Sequence, residues 1–238
     1  MNERYAVYYA PATQSPLWRL ASRWLGRDAA TGTRCVQPAT SGITPDQMWQ
    51  FTQSARRYGF HATLKPPMRL RDGIDAASLK DALDAFARNT APVDLGLIEV
   101  DTIGGFLALV PRMQDDDVTR FAADCVREFD IFRAPPTEEE IERRRSAGLT
   151  ERQRELLEAY GYPYVMEEFR LHLTLSDRLD RPDRDALKAG AAEWFGPVRE
   201  ERLVLDRVCL FREPEPDKPF ERLADFPLTG AMIKENVA

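Results

Sequence analysis

The sequence predicts an α+β fold in which two lobes, related by a pseudo-two-fold axis, place two antiparallel sheets along a central cleft with helices outside. The only two histidines of the chain open the same four-residue word, His61-Ala62-Thr63-Leu64 and His172-Leu173-Thr174-Leu175. After each word come a predicted helix, a Pro-Val pair (92–93 and 197–198) and an apolar strand that reaches an aspartate nine positions beyond the proline. Each half then continues into a second strand. This duplicated order predicts related lobes whose like positions meet at the axis.

Each predicted element follows from its apolar spacing and from the residues that start or stop it. Ser15 and Pro16 mark a helix start and Gly26 marks its end. Gly104-Gly105 is predicted to be a hairpin turn, since it lacks the lysine and helix that would follow in a nucleotide-binding loop. Helices are predicted at 17–25, 46–56, 75–88, 118–129 and 183–195, with two short charged helices within 135–160. Strands are predicted at 5–10, 58–67, 95–100, 106–110, 167–176, 203–211 and 221–226.

The domain organisation predicted from these elements is simple. We expect one bilobal domain over residues 1–230 and a C-terminal tail over residues 231–238. The charged segment 135–160 is predicted to be a helical insertion that acts as a mobile lid over the cleft. Its basic run, Arg143, Arg144 and Arg145, would usually form a solvated helix face. The alternative is that these arginines meet a substrate phosphate.

Composition limits the kind of partner. The chain has 238 residues, of which 43% are hydrophobic, enough to bury a sizeable core. Its formal net charge is -6, and the isoelectric point is about 5.2. An extended nucleic-acid surface would normally leave a basic balance, so such a partner is disfavoured. A small anionic ligand in a locally basic cleft remains compatible with this charge.

The cysteines and the terminal sequence indicate the compartment. Cys35, Cys125 and Cys209 are odd in number and far apart, and their spacing matches neither a metal site nor a disulfide framework. A reducing cytosol is the simplest interpretation. The N-terminus has no signal-peptide pattern, and no stretch is long enough to span a membrane. We therefore expect a cytoplasmic protein, with a monomer compatible with everything in the sequence.

The duplicated word predicts acid–base chemistry on a phosphoryl group. In a strand, side chains two apart share a face, so His61 lies beside Thr63 and His172 lies beside Thr174. Two imidazoles across a cleft can act as base and acid, while the hydroxyls donate to phosphoryl oxygens. No metal or other cofactor is required, and two histidines without further ligands make a poor metal site. The alternative is that each histidine is only a hydrogen-bonded strand residue.

Flanking residues extend the candidate site. If the strands stay regular, Lys65 and Arg170 point into the same cleft and could bind an anionic group; ordinary solvated charges at strand ends are the alternative. Tyr58, Tyr162 and Tyr164 flank the two words. They could stack on a base or bond a sugar, although tyrosines in such places more often pack.

Longer words carry a family resemblance. YGFHATLKPP, GGFLALVP, LTERQ and GYPYVMEEFRLHLTL, together with the opening YAVYYAP…SPLWRLASRWLG, resemble the 2H phosphoesterase superfamily. They are most similar to a bacterial family encoded beside phosphonate-utilisation (C–P lyase) genes. The resemblance covers nearly the whole chain. The segment 135–160 departs from smaller superfamily members, in which a shorter segment connects the two lobes.

The resemblance implies a function. Members of the superfamily carry two H-x-[ST]-Φ words (Φ, a hydrophobic residue) on opposed lobes and act on cyclic phosphodiesters without metal. It therefore implies His61 and His172 as the catalytic pair and Thr63 and Thr174 as phosphate ligands. The association with phosphonate genes implies a phosphoribosyl cyclic phosphate from phosphonate breakdown as substrate.

Three hypotheses follow. The first is a hydrolase of a small cyclic phosphodiester. The second is a 2′,3′-cyclic phosphodiesterase acting on RNA ends or oligonucleotides, which the acidic charge disfavours. The third is a non-catalytic binder of phosphorylated ligands, against which the retention of both histidines and both threonines argues.

Overall fold

The computed structural model describes residues 3–138 and 148–231. The middle of the predicted lid, residues 139–147 with Arg143, Arg144 and Arg145, lies outside these residues, as does nearly all of the predicted tail. The described helices are α1 (Pro16–Leu25), α2 (Pro45–Phe51), α3 (Gln53–Tyr58), α4 (Ala76–Asn89), α5 (Asp116–Phe129), α6 (Glu151–Tyr160), α7 (Arg181–Trp194) and α8 (Gly196–Arg199). The strands are β1 (Arg4–Tyr9), β2 (Ala62–Met68), β3 (Val93–Gly96), β4 (Ile98–Ile103), β5 (Phe106–Pro111), β6 (Leu173–Thr174), β7 (Leu203–Leu205), β8 (Arg207–Glu213) and β9 (Glu221–Pro227).

The strands form two main antiparallel sheets, which confirms the predicted fold class. One sheet has four strands in the order β2-β1-β8-β9, and the other has three in the order β4-β5-β6. A third, two-stranded ladder joins β3 to β7. The first histidine word lies at the start of β2 and the second at β6, and these two strands are in contact. Both words therefore lie where the two main sheets meet.

The connectivity of the lobes differs from the prediction. We expected each half of the chain to build its own lobe, but β2 of the first half shares a sheet with the β8–β9 hairpin of the second. Likewise β6 pairs with β5 of the first half. After its helix, each half crosses to the opposite sheet through β3 or β7, which pair with each other at the crossing. The order of elements is repeated in the two halves of the chain, but each half contributes its hairpin to the sheet of the other.

Local sequence explains the first helix as predicted. The Ser15 side chain accepts a hydrogen bond from the Trp18 amide at 3.1 Å, and Pro16 occupies the first helical position. Gly26 ends the helix with φ of 83°, a conformation that costs glycine little. The Trp24 indole then donates to the Leu175 carbonyl at 2.9 Å. This bond ties α1 to the last residue of the second histidine word.

Two predicted elements are shorter than expected. The helix predicted at 46–56 is split at Thr52, whose hydroxyl donates to the Met48 carbonyl. The strand predicted at 167–176 is regular only at Leu173–Thr174. Ahead of it, the Gln114 side chain accepts from the Leu171 amide at 2.7 Å. A side-chain amide thus takes the place of a strand neighbour, so the residues before the word form no ladder.

The long helices cover the outer faces of the sheets. α4 packs on β8 and β9 of the four-stranded sheet, and α7 packs on β4 and β5 of the three-stranded sheet. Each main sheet is therefore covered by one long helix. In the described residues, none of the helices has both the length and the apolar character needed to cross a bilayer.

Candidate active site

A cleft of about 440 Å³ lies between the two histidine words. His61 and Thr63 line it from the first word, and Thr174 lines it from the second. The His172 ring lies 5.6 Å from the ring of Phe106, another wall residue, measured between centroids. The charge of His172 also lowers the pKa of His61, so the two imidazoles are within electrostatic range. The structure thus brings together the four residues that the sequence predicted.

The two imidazoles are held in the same way. His61 Nδ1 donates to the Gly59 carbonyl at 2.8 Å, and His172 Nδ1 donates to the Arg170 carbonyl at 2.7 Å. Each acceptor is two residues before its histidine. Since a carbonyl can only accept, the proton of each neutral ring sits on Nδ1, which leaves Nε2 for proton transfer. The Thr63 hydroxyl lies 3.3 Å from His61 Nε2 and can donate to it.

Gly59 makes the first of these bonds available. Its φ is 81°, and a Cβ at this position would lie 2.5 Å from the Ala29 side chain. Only glycine fits both the left-handed backbone and the close approach. The turn directs the Gly59 carbonyl at the imidazole two residues later, which explains why a glycine precedes the first word.

Partial burial favours the neutral form of both imidazoles in the free protein. It lowers the pKa of His61 to about 4; the bond to the Gly59 carbonyl opposes this effect, and the His172 charge adds to it. Burial likewise lowers the pKa of His172, opposed by the bond to the Arg170 carbonyl. Neutral rings can accept a proton, so the free site is prepared for base chemistry. The protonated partner that an acid step needs must arise when an anion binds.

Tyr8 also lines the cleft, although no pattern in the sequence indicated it. Its ring stacks on His61 with centroids 3.7 Å apart and an interplanar angle of 18°. It lies opposite Thr63 in the β1–β2 ladder. Burial raises the pKa of its phenol well above the usual value, so Tyr8 supports the ring as a neutral group.

Two arginines that line the cleft were also missed. The Arg4 Nε donates to the fully buried Glu213, which also binds Arg57. Arg4 therefore brings a partly neutralised charge. Arg178 lines the other side, and within residues 3–138 and 148–231 no ion pair is formed by its guanidinium. Its charge is available to a phosphate.

Lys65 lies away from the cleft, so the prediction for this residue is wrong. Its side chain is fully buried, and Nζ donates to Asp130 at 2.5 Å. The β1–β2 register shifts between the Val7–Lys65 pair and the Tyr8–Thr63 pair. This irregularity breaks the alternation of side chains, so Lys65 no longer shares a face with Thr63. Its pKa is lowered by burial, against the opposing effect of Asp130.

Of the other predicted flanking residues, some line the cleft and others do not. Tyr58 and Tyr162 line the cleft, and Tyr58 also stacks on Phe220 with centroids 4.8 Å apart. Tyr164 is exposed and contacts Tyr162 edge-on. The Arg170 side chain is exposed, outside the residues that line the cleft, and this residue contributes its backbone carbonyl instead. Arg143 and Arg144 lie outside the described residues.

The donor set around the cleft is poor in metal ligands. Across the described part of the chain, no three or more histidine, cysteine, aspartate or glutamate side chains come close enough together to hold a metal ion. The functional groups gathered here are imidazoles, hydroxyls and guanidiniums. These suit proton transfer and anion binding.

Three solved structures of low sequence identity are among those that this chain matches. They are TT0787 of Thermus thermophilus (15% identity, 95% of this chain and 98% of that one, TM-score 0.47), a phosphoesterase (14%, 95% and 99%, TM-score 0.41), and E. coli LigT complexed with 3′-AMP (11%, 96% and 99%, TM-score 0.39).

Curated relatives are more similar in sequence but longer. A protein of Janthinobacterium sp. (strain Marseille) named ribose 1,5-bisphosphate phosphokinase PhnN is 38% identical over 231 residues, 95% of this chain and 51% of the relative. A protein of the same name from Laribacter hongkongensis (strain HLHK9) is 35% identical over 218 residues, 91% and 50%. The chain thus spans about half the length of these relatives.

A family model described as "Protein of unknown function (DUF1045)" matches residues 63–221, which begin inside the first histidine word and include the whole of the second. On this match, the chain belongs to the DUF1045 family.

Proposed function

We propose that this protein is a phosphodiesterase that hydrolyses a small cyclic phosphodiester by two-histidine acid–base catalysis, without a bound metal. The observation that carries the proposal is the matched pair of imidazoles at one cleft. Each is fixed by an Nδ1–H bond to the carbonyl two residues earlier, and each has a threonine two residues later. Two proton-transfer groups and two hydroxyl donors thus surround one space, an arrangement suited to a phosphoryl group.

The burial of the two rings supports a division of roles. His61, whose pKa falls to about 4, takes a proton from the attacking water on Nε2 while the water oxygen bonds to phosphorus. His172 gains its proton when the phosphodiester anion binds, since a nearby negative charge raises an imidazole pKa. It then donates from Nε2 to the leaving oxygen as the P–O ester bond breaks. Exchange with solvent restores both rings.

Hydroxyls and charges complete the proposed step. Thr63 and Thr174 donate to non-bridging oxygens, where negative charge builds in the transition state. Arg178 and the partly paired Arg4 line the same cleft and attract the anionic substrate. Stacking of Tyr8 on His61 keeps the base in the orientation in which Nε2 faces the substrate.

The relatives support a sugar phosphate as the substrate class. Their name contains ribose 1,5-bisphosphate, and the resemblance in the sequence is to a phosphonate-associated family. A phosphoribosyl cyclic phosphate fits both. Since the chain spans about half of each relative, the phosphokinase activity in that name is not transferred to it.

A screen of cyclic phosphates in the presence of EDTA tests the proposal. Ribose 1,2-cyclic phosphates and nucleoside 2′,3′-cyclic phosphates are compared with oligonucleotides that end in a 2′,3′-cyclic phosphate. We expect turnover of a small ester that survives EDTA. Faster turnover of oligonucleotide ends would favour the RNA-end hypothesis instead. Activity lost to EDTA and restored by zinc or manganese would overturn the metal-free mechanism.

Alanine variants of the pair test the residues. With a positioned proton-transfer group removed, His61→Ala or His172→Ala should lower kcat by roughly 10²–10⁴-fold. The double variant should be little worse than the worse single one, because the two groups act as a unit. Arg181→Gln, an exposed change at the start of α7, serves as the control. A folded single variant with near-normal turnover removes that histidine from the mechanism, and tight binding without turnover in the wild type favours the binder hypothesis.

A further inference from the structure

A second cavity adjoins the cleft. It has a volume of about 540 Å³ and lies between the loop after α1 and the helices α2 and α3. Ser54 and Asp177 line both spaces, and α3 forms the wall between them. Tyr58 of this helix lines the cleft, whereas Arg56 and Arg57 line the cavity. The two spaces therefore join at the first turn of α3.

The cavity is basic in an acidic chain. Four arginines and two aspartates line it: Arg27, Arg34, Arg56, Arg57, Asp177 and Asp217. The two carboxylates already have partners. Asp217 pairs with Arg57, and Asp177 accepts from the amides of Ser54 at 2.9 Å and Ala55 at 3.2 Å, at the start of α3. Among the described residues, neither carboxylate forms an ion pair with Arg27, Arg34 or Arg56.

Two of these arginines are held in place without a carboxylate. The guanidinium of Arg56 lies 3.4 Å from the centre of the Trp49 ring, and that of Arg34 lies 4.5 Å from it. Arg56 Nη1 donates to the Trp49 carbonyl at 2.8 Å and to the Thr52 hydroxyl at 3.0 Å. In the described residues neither guanidinium forms an ion pair. Two like charges thus stay beside one indole, and within residues 3–138 and 148–231 the Nε and Nη2 atoms of Arg56 donate to no acceptor.

The chemistry of these groups selects the ligand. A planar guanidinium binds a phosphate through paired N–H donors, and two of them can share its oxygens. Burial lowers the pKa of Arg56; Asp177 opposes this effect, and the neighbouring Arg34 charge adds a smaller lowering. An anion between the two guanidiniums would relieve that repulsion. The two guanidiniums that would bind a phosphate therefore already lie side by side in the free protein.

We propose that this cavity binds a second, non-reacting phosphate of the substrate while the first phosphate occupies the histidine cleft. The proposal rests on the function proposed above and narrows it to cyclic phosphodiesters that carry a further phosphate monoester. Arg34 and Arg56 hold that phosphate, and the junction at Ser54 and Asp177 admits the part of the substrate that connects the two groups.

Binding of inorganic phosphate, followed by NMR, tests the cavity apart from catalysis. The Trp49 indole N–H, assigned with Trp49→Phe, reports on the cavity, and the two histidine rings report on the cleft. We expect phosphate to shift both sets of signals in the wild type. In Arg34→Gln, an exposed change, and in Arg34→Gln/Arg56→Gln, the Trp49 response should be lost or need roughly tenfold more phosphate. Arg181→Gln should behave as the wild type.

A pair of substrates tests the selectivity. Nucleoside 2′,3′-cyclic phosphates with and without a 5′-phosphate differ only in the second phosphate. In the wild type, kcat/KM should be at least roughly tenfold higher for the 5′-phosphorylated substrate, the worth of one charge-assisted contact. Arg34→Gln should reduce this ratio toward one, and Arg181→Gln should keep it.

The outcomes separate the two proposals. A Trp49 signal that does not respond to phosphate in the wild type, or a substrate ratio unchanged by Arg34→Gln, overturns the cavity proposal even if turnover is normal. A Trp49 response that depends on Arg34, in a protein that turns over no cyclic phosphate, supports the phosphate site and overturns the proposed catalysis. Circular dichroism establishes that each variant is folded, and Arg34→Gln alone decides the result if the double variant is not.

Discussion

The half-buried His61 imidazole should make the free protein sensitive to mild acid, and replacing it should remove that part of the sensitivity. Its folded-state pKa is about 4 against an ordinary 6.5, so between these values the unfolded chain binds a proton that the native state does not. The contribution of His61 to the free energy of unfolding is fully present above pH 6.5 and is lost as the pH falls toward 4. At about 1.4 kcal/mol per pKa unit, the loss reaches about 3 kcal/mol by pH 4.

Urea unfolding of the wild type and of His61→Asn is measured from pH 7.5 to 4.5. The difference between their free energies of unfolding at each pH gives the contribution of His61. The asparagine amide is chosen because it can still donate to the Gly59 carbonyl but does not titrate. Carboxylates such as Glu213, whose pKa is lowered by Arg4 and Arg57, also weaken the fold in acid. They do so equally in both proteins. The gap between the two free energies of unfolding should therefore change by about 2–3 kcal/mol in favour of the variant.

NMR titration supplies the direct check. The chain has two histidines, so the Hε1 protons of its imidazoles give two resonances, and the loss of one in His61→Asn assigns both. A His61 pKa at or above 6.5 in the free protein would refute the reasoning. So would a gap between wild type and variant that stays constant with pH.

Three further predictions concern other parts of the site. Thr174→Val should lower kcat/KM by less than the loss of either histidine, because a hydroxyl stabilises charge without moving a proton; steady-state kinetics on the confirmed substrate decides this. Gly59→Ala should lower the free energy of unfolding by about 1–3 kcal/mol, since φ is 81° and the new methyl meets Ala29; urea midpoints measure it, and an unchanged midpoint contradicts the close approach. Replacing the three arginines 143–145 by glutamine should raise KM more than it lowers kcat, and an unchanged KM would make the run an ordinary solvated face.

The two histidine words could be picked out from the sequence because the relevant signals are local. Each histidine word carries its imidazole and hydroxyl at a spacing of two, and the residues that fix the rings, Gly59 and Arg170, lie two positions earlier. The rarity of histidine made the pair visible. The helix after Ser15 was predictable for the same reason, since its start and end signals lie within the segment itself.

The errors arose where distant contacts decide. Lys65 was placed in the cleft by strict alternation, but a register shift against β1 turned it toward Asp130. Tyr8 could be found only by knowing that β1 pairs with β2. The cavity arginines come from α1's following loop and from α3, and no local pattern joins Arg34 to Arg56. Strand exchange between the halves is likewise invisible in the order of the elements.

That exchange has a consequence for how the protein acquires its site. β1 pairs with β8, so Arg4 lies opposite Glu213 and Val7 lies opposite Leu210. The sheet that carries the first histidine word therefore closes only after synthesis has passed Glu213. Pairings over such separations are slow to form. The second word depends in turn on a hairpin from the first half. A fragment ending before β8 should thus hold neither wall in place, and the site should form as a late, concerted event of folding.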